Sequence, residues 1–126
     1  MRAGSYKMNV LDTYSLVEIK KGNPNFSYLL NEPFLITDPT MAEFYIVIYK
    51  EEDEKEAEHW HKKLSFYCKP VSRDIFIKAL KYREDHKKDN LSIFGSIGYI
   101  YSQEHNHKFV TGDKAFKYKE NVIFIK

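Results

Sequence analysis

Met8-Asn9-Val10-Leu11-Asp12-Thr13-Tyr14-Ser15-Leu16-Val17-Glu18-Ile19 reads as a strand, a turn and a helix, and this unit decides the fold class. Met8 to Leu11 is a strand-like run, Asp12 is a residue type that caps helices, and Tyr14, Leu16, Val17 and Ile19 supply helical apolar positions. Gly22-Asn23-Pro24-Asn25 breaks that helix. A short piece from Phe26 to Asn31 then leads into Pro33-Phe34-Leu35-Ile36, whose apolar run predicts a buried strand. Working outward, Asp38-Pro39-Thr40 opens a helix that continues through Met41 to Tyr49. Glu51 to Leu64 is a charged surface helix with a narrow stripe of Ala57, Trp60 and Leu64. Phe66-Tyr67-Cys68 is a third strand, Ser72 caps a helix from Arg73 to His86, and Leu91 to Gln103 forms another. Phe109-Val110 and Val122 to Ile125 are the fourth and fifth strands. Strands separated by helices need crossover connections. The pattern therefore predicts an α/β fold, a mostly parallel five-stranded sheet flanked by helices on both faces.

At 126 residues with 43% apolar side chains, the chain is the size of one domain with one sizeable core. That domain is expected over residues 8–126. Residues 1–7, MRAGSYK, are polar and unpatterned and read as a leader or disordered extension, the alternative being an N-terminal strand extension. The charge balance of 20 Lys+Arg against 18 Asp+Glu excludes a dominant polybasic or acidic segment, so partners must be read from sites. With 16% aromatics and only 5 Gly and 4 Pro, a low-complexity chain is excluded. Cys68, the single cysteine, can form no internal disulfide, which suits a reducing cytoplasm. The longest apolar run, Phe44 to Tyr49, falls far short of the roughly 20 residues that a membrane-spanning helix needs, and no membrane partner is expected.

In open parallel sheets, ligands bind outside the carboxyl ends of the strands. Asp12 follows the first predicted strand, Glu43 lies in the first turns of the helix after the second, and Asp113 follows the fourth. Converging carboxylates repel one another unless a cation lies between them, and hard oxygen donors without thiolates favour Mg²⁺ or Mn²⁺. Each acid also has a local explanation. Asp12 can cap the next helix, Glu43 stands three residues after Thr40 in a capping-box spacing, and Asp113 can hold a tight turn in which Gly112 supplies backbone freedom.

Taken together, Asn9-Val10-Leu11-Asp12-Thr13, Thr40-Met41-Ala42-Glu43, Leu91-Ser92 and Val110-Thr111-Gly112-Asp113-Lys114-Ala115-Phe116 resemble the PIN-domain ribonucleases, including the VapC-type toxins of toxin–antitoxin pairs. The resemblance covers about Met8 to Lys126, and its most specific piece is the Thr-Gly-Asp segment with the following Phe. It implies a parallel five-stranded sheet between helices, Mg²⁺- or Mn²⁺-binding acids, and hydrolysis of RNA phosphodiester bonds. By this resemblance Asp12, Glu43 and Asp113 are the catalytic and metal-ligating residues, and Thr111 takes a hydroxyl position beside the last acid. Among the lysines, Lys114 is nearest this site and is the one expected to contact an RNA phosphate. An antitoxin partner is implied by the resemblance alone. Helices carrying Phe26, Tyr28, Tyr45 or Trp60 offer a groove to such a partner or to a second subunit of a homodimer, the alternative being that each aromatic is core.

One departure stands out. The family pattern Leu-Ser-x-x-Asp aligns with Leu91-Ser92-Ile93-Phe94, which puts Gly95 where an acid is expected. Ser92 and Ser96 are accessory hydroxyls nearby, weaker ligands than a carboxylate. Asp89 would lie about 9 Å away along a helix, too far to substitute. The alternative function is thus a catalytically weak or inactive PIN-fold module that binds RNA or protein. If the missing acid is the handicap, Gly95→Asp should strengthen metal binding and raise activity.

The remaining signals read as structure. The lysine pairs Lys20-Lys21, Lys62-Lys63 and Lys87-Lys88 read as solvated faces, and Tyr99 and Tyr101 as core. His59 and His61 diverge on a helix and share no zinc, while His105-Asn106-His107 is a bare tripeptide without the spacing of a nuclease motif. Cys68 reads as a small buried residue, not a nucleophile.

Overall fold

The computed structural model describes residues 6–126. Its strands are β1 (Asn9–Leu11), β2 (Phe34–Thr37), β3 (Cys68–Lys69), β4 (Lys108–Thr111) and β5 (Val122–Phe124). The helices are α1 (Thr13–Lys20), α2 (Pro24–Ser27), α3 (Asp38–Glu51), α4 (Glu54–Leu64), α5 (Arg73–Asp85) and α6 (Ile93–Glu104). The sheet has the order β3-β2-β1-β4-β5, and every neighbouring pair is parallel. The expected α/β class is thus observed. For residues 1–5, the expectation of a leader lies outside the described residues. Beyond them, the Lys7 N–H donates to the Asn106 carbonyl at 3.1 Å, and Lys108 Nζ sits 3.9 Å over the Tyr6 ring.

Alternation along the strands sorts the side chains into two cores. Leu11, Phe34, Ile36 and Val110 face one layer, where they meet Leu16 of α1, Phe44 and Ile48 of α3 and Leu64 of α4. Val10, Leu35 and Phe109 face the other, against Ile75 and Ala79 of α5 and Ile97 and Tyr99 of α6. A period of two therefore places helices on both faces, and each fully buried side chain of this size contributes about 1.5–3 kcal/mol. The chain begins at the sheet centre, builds outward to β3, then crosses back through α5 and α6 to β4. Strand order reverses between β1 and β4, and a crevice opens there at the carboxyl ends.

Some boundaries differ from the sequence expectation. Ser65–Tyr67 is a 3-10 turn and only Cys68–Lys69 pairs with β2, because Tyr67 stacks on Phe34 with ring centroids 4.1 Å apart while Phe66 points to solvent. Helix α3 starts at Asp38. Its cap is Thr37, whose Oγ1 accepts from the Thr40 N–H at 3.4 Å, so no Thr40–Glu43 capping box forms. Tyr99 and Tyr101 are core residues, as expected. Phe26 is also core and offers nothing to a partner, whereas Tyr28 is exposed; the Tyr45 hydroxyl donates to Glu58 at 2.6 Å and the Trp60 indole N–H to Glu56 at 2.9 Å. His59 and His61 are exposed on α4. The Cys68 thiol is pushed up to about 11 by burial and then by the Asp38 charge, which leaves it inert.

His107 is 6% exposed and its Nδ1 has no hydrogen-bond partner among the described residues. Burial, with His105 and Lys7 nearby, holds its pKa below the ordinary 6.5. A folded-state pKa below the unfolded value means that the neutral ring supports folding fully above pH 6.5 and loses that support as the pH falls beneath it. The stability difference between wild type and His107→Gln should therefore shift in the variant's favour from pH 7 to pH 5.5, as read by urea unfolding. A constant difference across that range would contradict this assignment.

Candidate functional site

Asp12 stands at the end of β1, where its N–H donates to the Val110 carbonyl at 3.2 Å and locks it beside β4. Its Oδ1 caps α1 by accepting from the Ser15 N–H at 2.8 Å, and its Oδ2 accepts from the Thr111 hydroxyl at 2.5 Å. Thr111 Oγ1 in turn accepts from the Asp113 N–H at 2.9 Å, and Asp113 Oδ1 accepts from the Ala115 N–H at 3.0 Å. A continuous chain thus links the first and last acids across the point where strand order reverses. Asp12 is only 7% exposed, and burial drives its pKa from 3.8 up to about 6. Hydrogen bonds from Thr111 and Ser15 oppose that rise, while the charge of Asp113 adds to it.

Glu43, on the second turn of α3, accepts a hydrogen bond from the Thr13 hydroxyl at the start of α1. The two helices that leave β1 and β2 are tied together at the crevice. Asp12, Glu43 and Asp113 line one cleft of about 530 Å³, together with Lys114 and Ser92. The local roles expected for Asp12 and Asp113 are real and coexist with that placement, because each carboxylate has further lone pairs. Thr111 is fully buried beneath Asp12 and holds it from behind. Ser92 caps α6 by accepting from the Gly95 N–H at 3.0 Å. Ser96 stays out of the lining: it is buried, and its hydroxyl donates to the Ser92 carbonyl at 2.8 Å.

Two glycines are explained by close approach. A Cβ on Gly95 would lie 2.7 Å from Ser92 Oγ and 2.9 Å from Phe116 Cε2, so the place where an acid was expected is occupied by neighbours. A Cβ on Gly112 would overlap the Tyr14 ring. Among the described glycines only Gly22 has positive φ, so Gly112 is required for space and not for the backbone freedom expected from its turn.

Thr13, Tyr14, Thr40 and Phe94 also line the cleft and were not singled out as site residues in the sequence. Tyr14 was assigned to the apolar face of α1, yet it is 45% exposed; its position directly after the Asp-Thr pair was the available signal.

Hard oxygen donors make up the acid set, with neither imidazole nor thiolate in the lining. The mutual repulsion of Asp12 and Asp113 is a charge that a divalent cation would neutralise, and the donor chemistry fits Mg²⁺ or Mn²⁺. Among the described residues, no three His, Cys, Asp or Glu side chains come together in a group that could hold a metal ion. Asp12, Glu43 and Asp113 line the same cleft without converging into such a group.

No protein-family model matches this chain, and no curated protein matches it. Solved structures do. A chain of a toxin–antitoxin complex from Klebsiella pneumoniae aligns with a TM-score of 0.73 and 22% identity over 91% of this chain and 95% of its own. The Mycobacterium tuberculosis toxin VapC20, described as cleaving the sarcin–ricin loop, aligns at 0.73 with 12% identity over 86% and 92%. A chain of VapBC2 from Rickettsia felis, solved bound to a promoter DNA fragment, aligns at 0.66 with 14% identity over 95% and 100%. At these identities the likeness speaks for architecture, and with the parallel five-stranded sheet it establishes that the chain has the PIN fold of these toxins.

Proposed function

We propose that this protein is a metal-dependent endoribonuclease, the toxin of a toxin–antitoxin pair acting in the cytoplasm. The observation that carries the reading is the linkage of buried Asp12 through Thr111 to Asp113 at the crevice, with Glu43 in the same cleft. Toxin–antitoxin complexes among the structural neighbours support an antitoxin partner.

Asp12 and Asp113 would hold Mg²⁺ or Mn²⁺, with Glu43 ligating directly or through water. A bound ion of this kind polarises a phosphodiester and lowers the pKa of an attacking water. Thr111 fixes the Asp12 carboxylate through its hydroxyl, and Thr13 does the same for Glu43, so neither acid needs to reorganise on binding. Lys114, exposed at the cleft and without an ion pair to any described residue, supplies positive charge for a phosphate of the RNA. The test is cleavage of RNA with Mg²⁺ or Mn²⁺, with EDTA, and by Asp113→Asn. Cleavage that needs the ion and falls at least about 100-fold in the variant is expected. Equal cleavage by the variant would overturn the assignment.

A second reading is favoured by Gly95, because Ser92 and Phe116 leave no space there for the further acid. On that reading the protein is a weak or inactive PIN-fold module that binds RNA or a protein. RNA binding without ion-dependent turnover is its expected signature.

A further inference from the structure

We infer that Tyr14 and Phe94 are stacking platforms for unpaired bases on either side of the phosphate held at the acid cleft. This rests on the nuclease reading and adds its base-contacting residues. Both rings line the cleft with the three acids, and both are open to solvent, at 45% for Tyr14 and 36% for Phe94. They come from opposite sides of the sheet. Tyr14 belongs to the first turn of α1, in the layer with Leu16 and Phe44, and Phe94 to the first turn of α6, in the layer with Ile97 and Phe109. Phe94 also lies beside Glu43 and Ile46 of α3, so a strand of nucleic acid lying in the cleft meets an exposed ring from each of two helices next to the acids.

Tyr14 is held in place. Its ring lies against the backbone of Gly112, where any side chain would collide, and Phe26 stands behind it with ring centroids 6.0 Å apart. No hydrogen bond to a described residue occupies the cleft-lining phenol, so the ring and not the hydroxyl is the useful surface. A rigid, exposed aromatic face beside a phosphate site suits a nucleobase, because every base has a π-face and little side-chain entropy is lost. Paired bases already stack on one another, so these platforms select single-stranded RNA over duplex. Lys114 adds attraction for the backbone without reading sequence.

Binding is measured in an Asp113→Asn background, which keeps the RNA intact, by fluorescence anisotropy of a labelled mixed-sequence single-stranded RNA and of its duplex. Tyr14→Phe keeps the ring and should retain affinity. Tyr14→Leu and Phe94→Leu keep apolar bulk but lose the π-face, and each should weaken single-strand binding by about 5- to 150-fold. Duplex affinity should be weaker and insensitive to these changes. A 2-aminopurine in the single strand should be quenched by the parent and less so by the Leu variants. Thermal unfolding of the variants separates this from misfolding, since a structural role would lower the midpoint of Tyr14→Leu together with its affinity. Unchanged affinity and quenching in both Leu variants, with wild type still cleaving RNA, would overturn the inference and leave the nuclease reading intact. Absence of both binding and cleavage by wild type would remove that reading and this inference with it.

Discussion

Asp12→Asn is expected to stabilise the metal-free protein while abolishing ion-dependent RNA cleavage. The sign follows from the raised carboxyl. In the folded state Asp12 holds its proton up to about pH 6, against 3.8 ordinarily, so folding favours the protonated form. That contribution is present at low pH and is lost as the pH rises from 3.8 through 6; by pH 7 the ionised, buried carboxylate costs folding up to about 3 kcal/mol. Asparagine carries no charge, still accepts from the Ser15 N–H, and can donate its amide to Thr111 Oγ1. In EDTA at pH 7 the variant should unfold at higher urea than wild type, and the advantage should vanish near pH 3.5. Saturating Mg²⁺ should stabilise wild type and leave the variant's midpoint nearly unchanged, because the ligand binds only the native acid set. Loss of stability in EDTA at pH 7 would show that the carboxylate is not the burden its burial implies.

Gly95→Asp is expected to destabilise the protein and not to restore a missing ligand. The new Cβ would press on Ser92 Oγ, the cap of α6, and on the ring of Phe116, which is itself fully buried against the core. Overpacking of this kind costs about 1–3 kcal/mol. Relief of helical glycine returns only about 0.5 kcal/mol when the newcomer is Asp, so the steric loss prevails. Gly95→Ala carries the same Cβ without the charge and separates the two effects. Calorimetry should show a lower melting temperature for both variants, and Mg²⁺ titration of Gly95→Asp should show no gain in affinity. A tighter ion and faster cleavage would instead mean that Phe116 yields readily and that the absent acid alone limits the site.

The two variants probe different kinds of information. Asp12 was recognisable in the sequence because an acid between a strand and a helix is a local pattern, and its capping role was correctly anticipated. Asp113 was legible for the same reason, and both do lie at the carboxyl ends of adjacent strands. The reason for Gly95 was not legible, since the side chain that excludes an acid, Phe116, lies in a different segment of the chain. The Glu43 partner was also hidden: the local spacing pointed to Thr40, whereas the hydroxyl that reaches it is Thr13, across from another helix. Tyr14 was hidden in a third way, because helical periodicity counts an aromatic as core whether or not a neighbouring helix covers it.

By itself the sequence determined the alternation of strands and helices, the α/β class, the caps Asp12 and Ser72, and the acids Asp12 and Asp113 just past two strands, because each depends on residues a few positions apart. Tertiary structure decided the order β3-β2-β1-β4-β5, the Asp12–Thr111–Asp113 linkage, the exclusion of an acid at Gly95 and the exposure of Tyr14 and Phe94 at the cleft. Periodicity and capping are local energies, while these juxtapositions arise only when crossover connections bring remote segments within van der Waals and hydrogen-bond range.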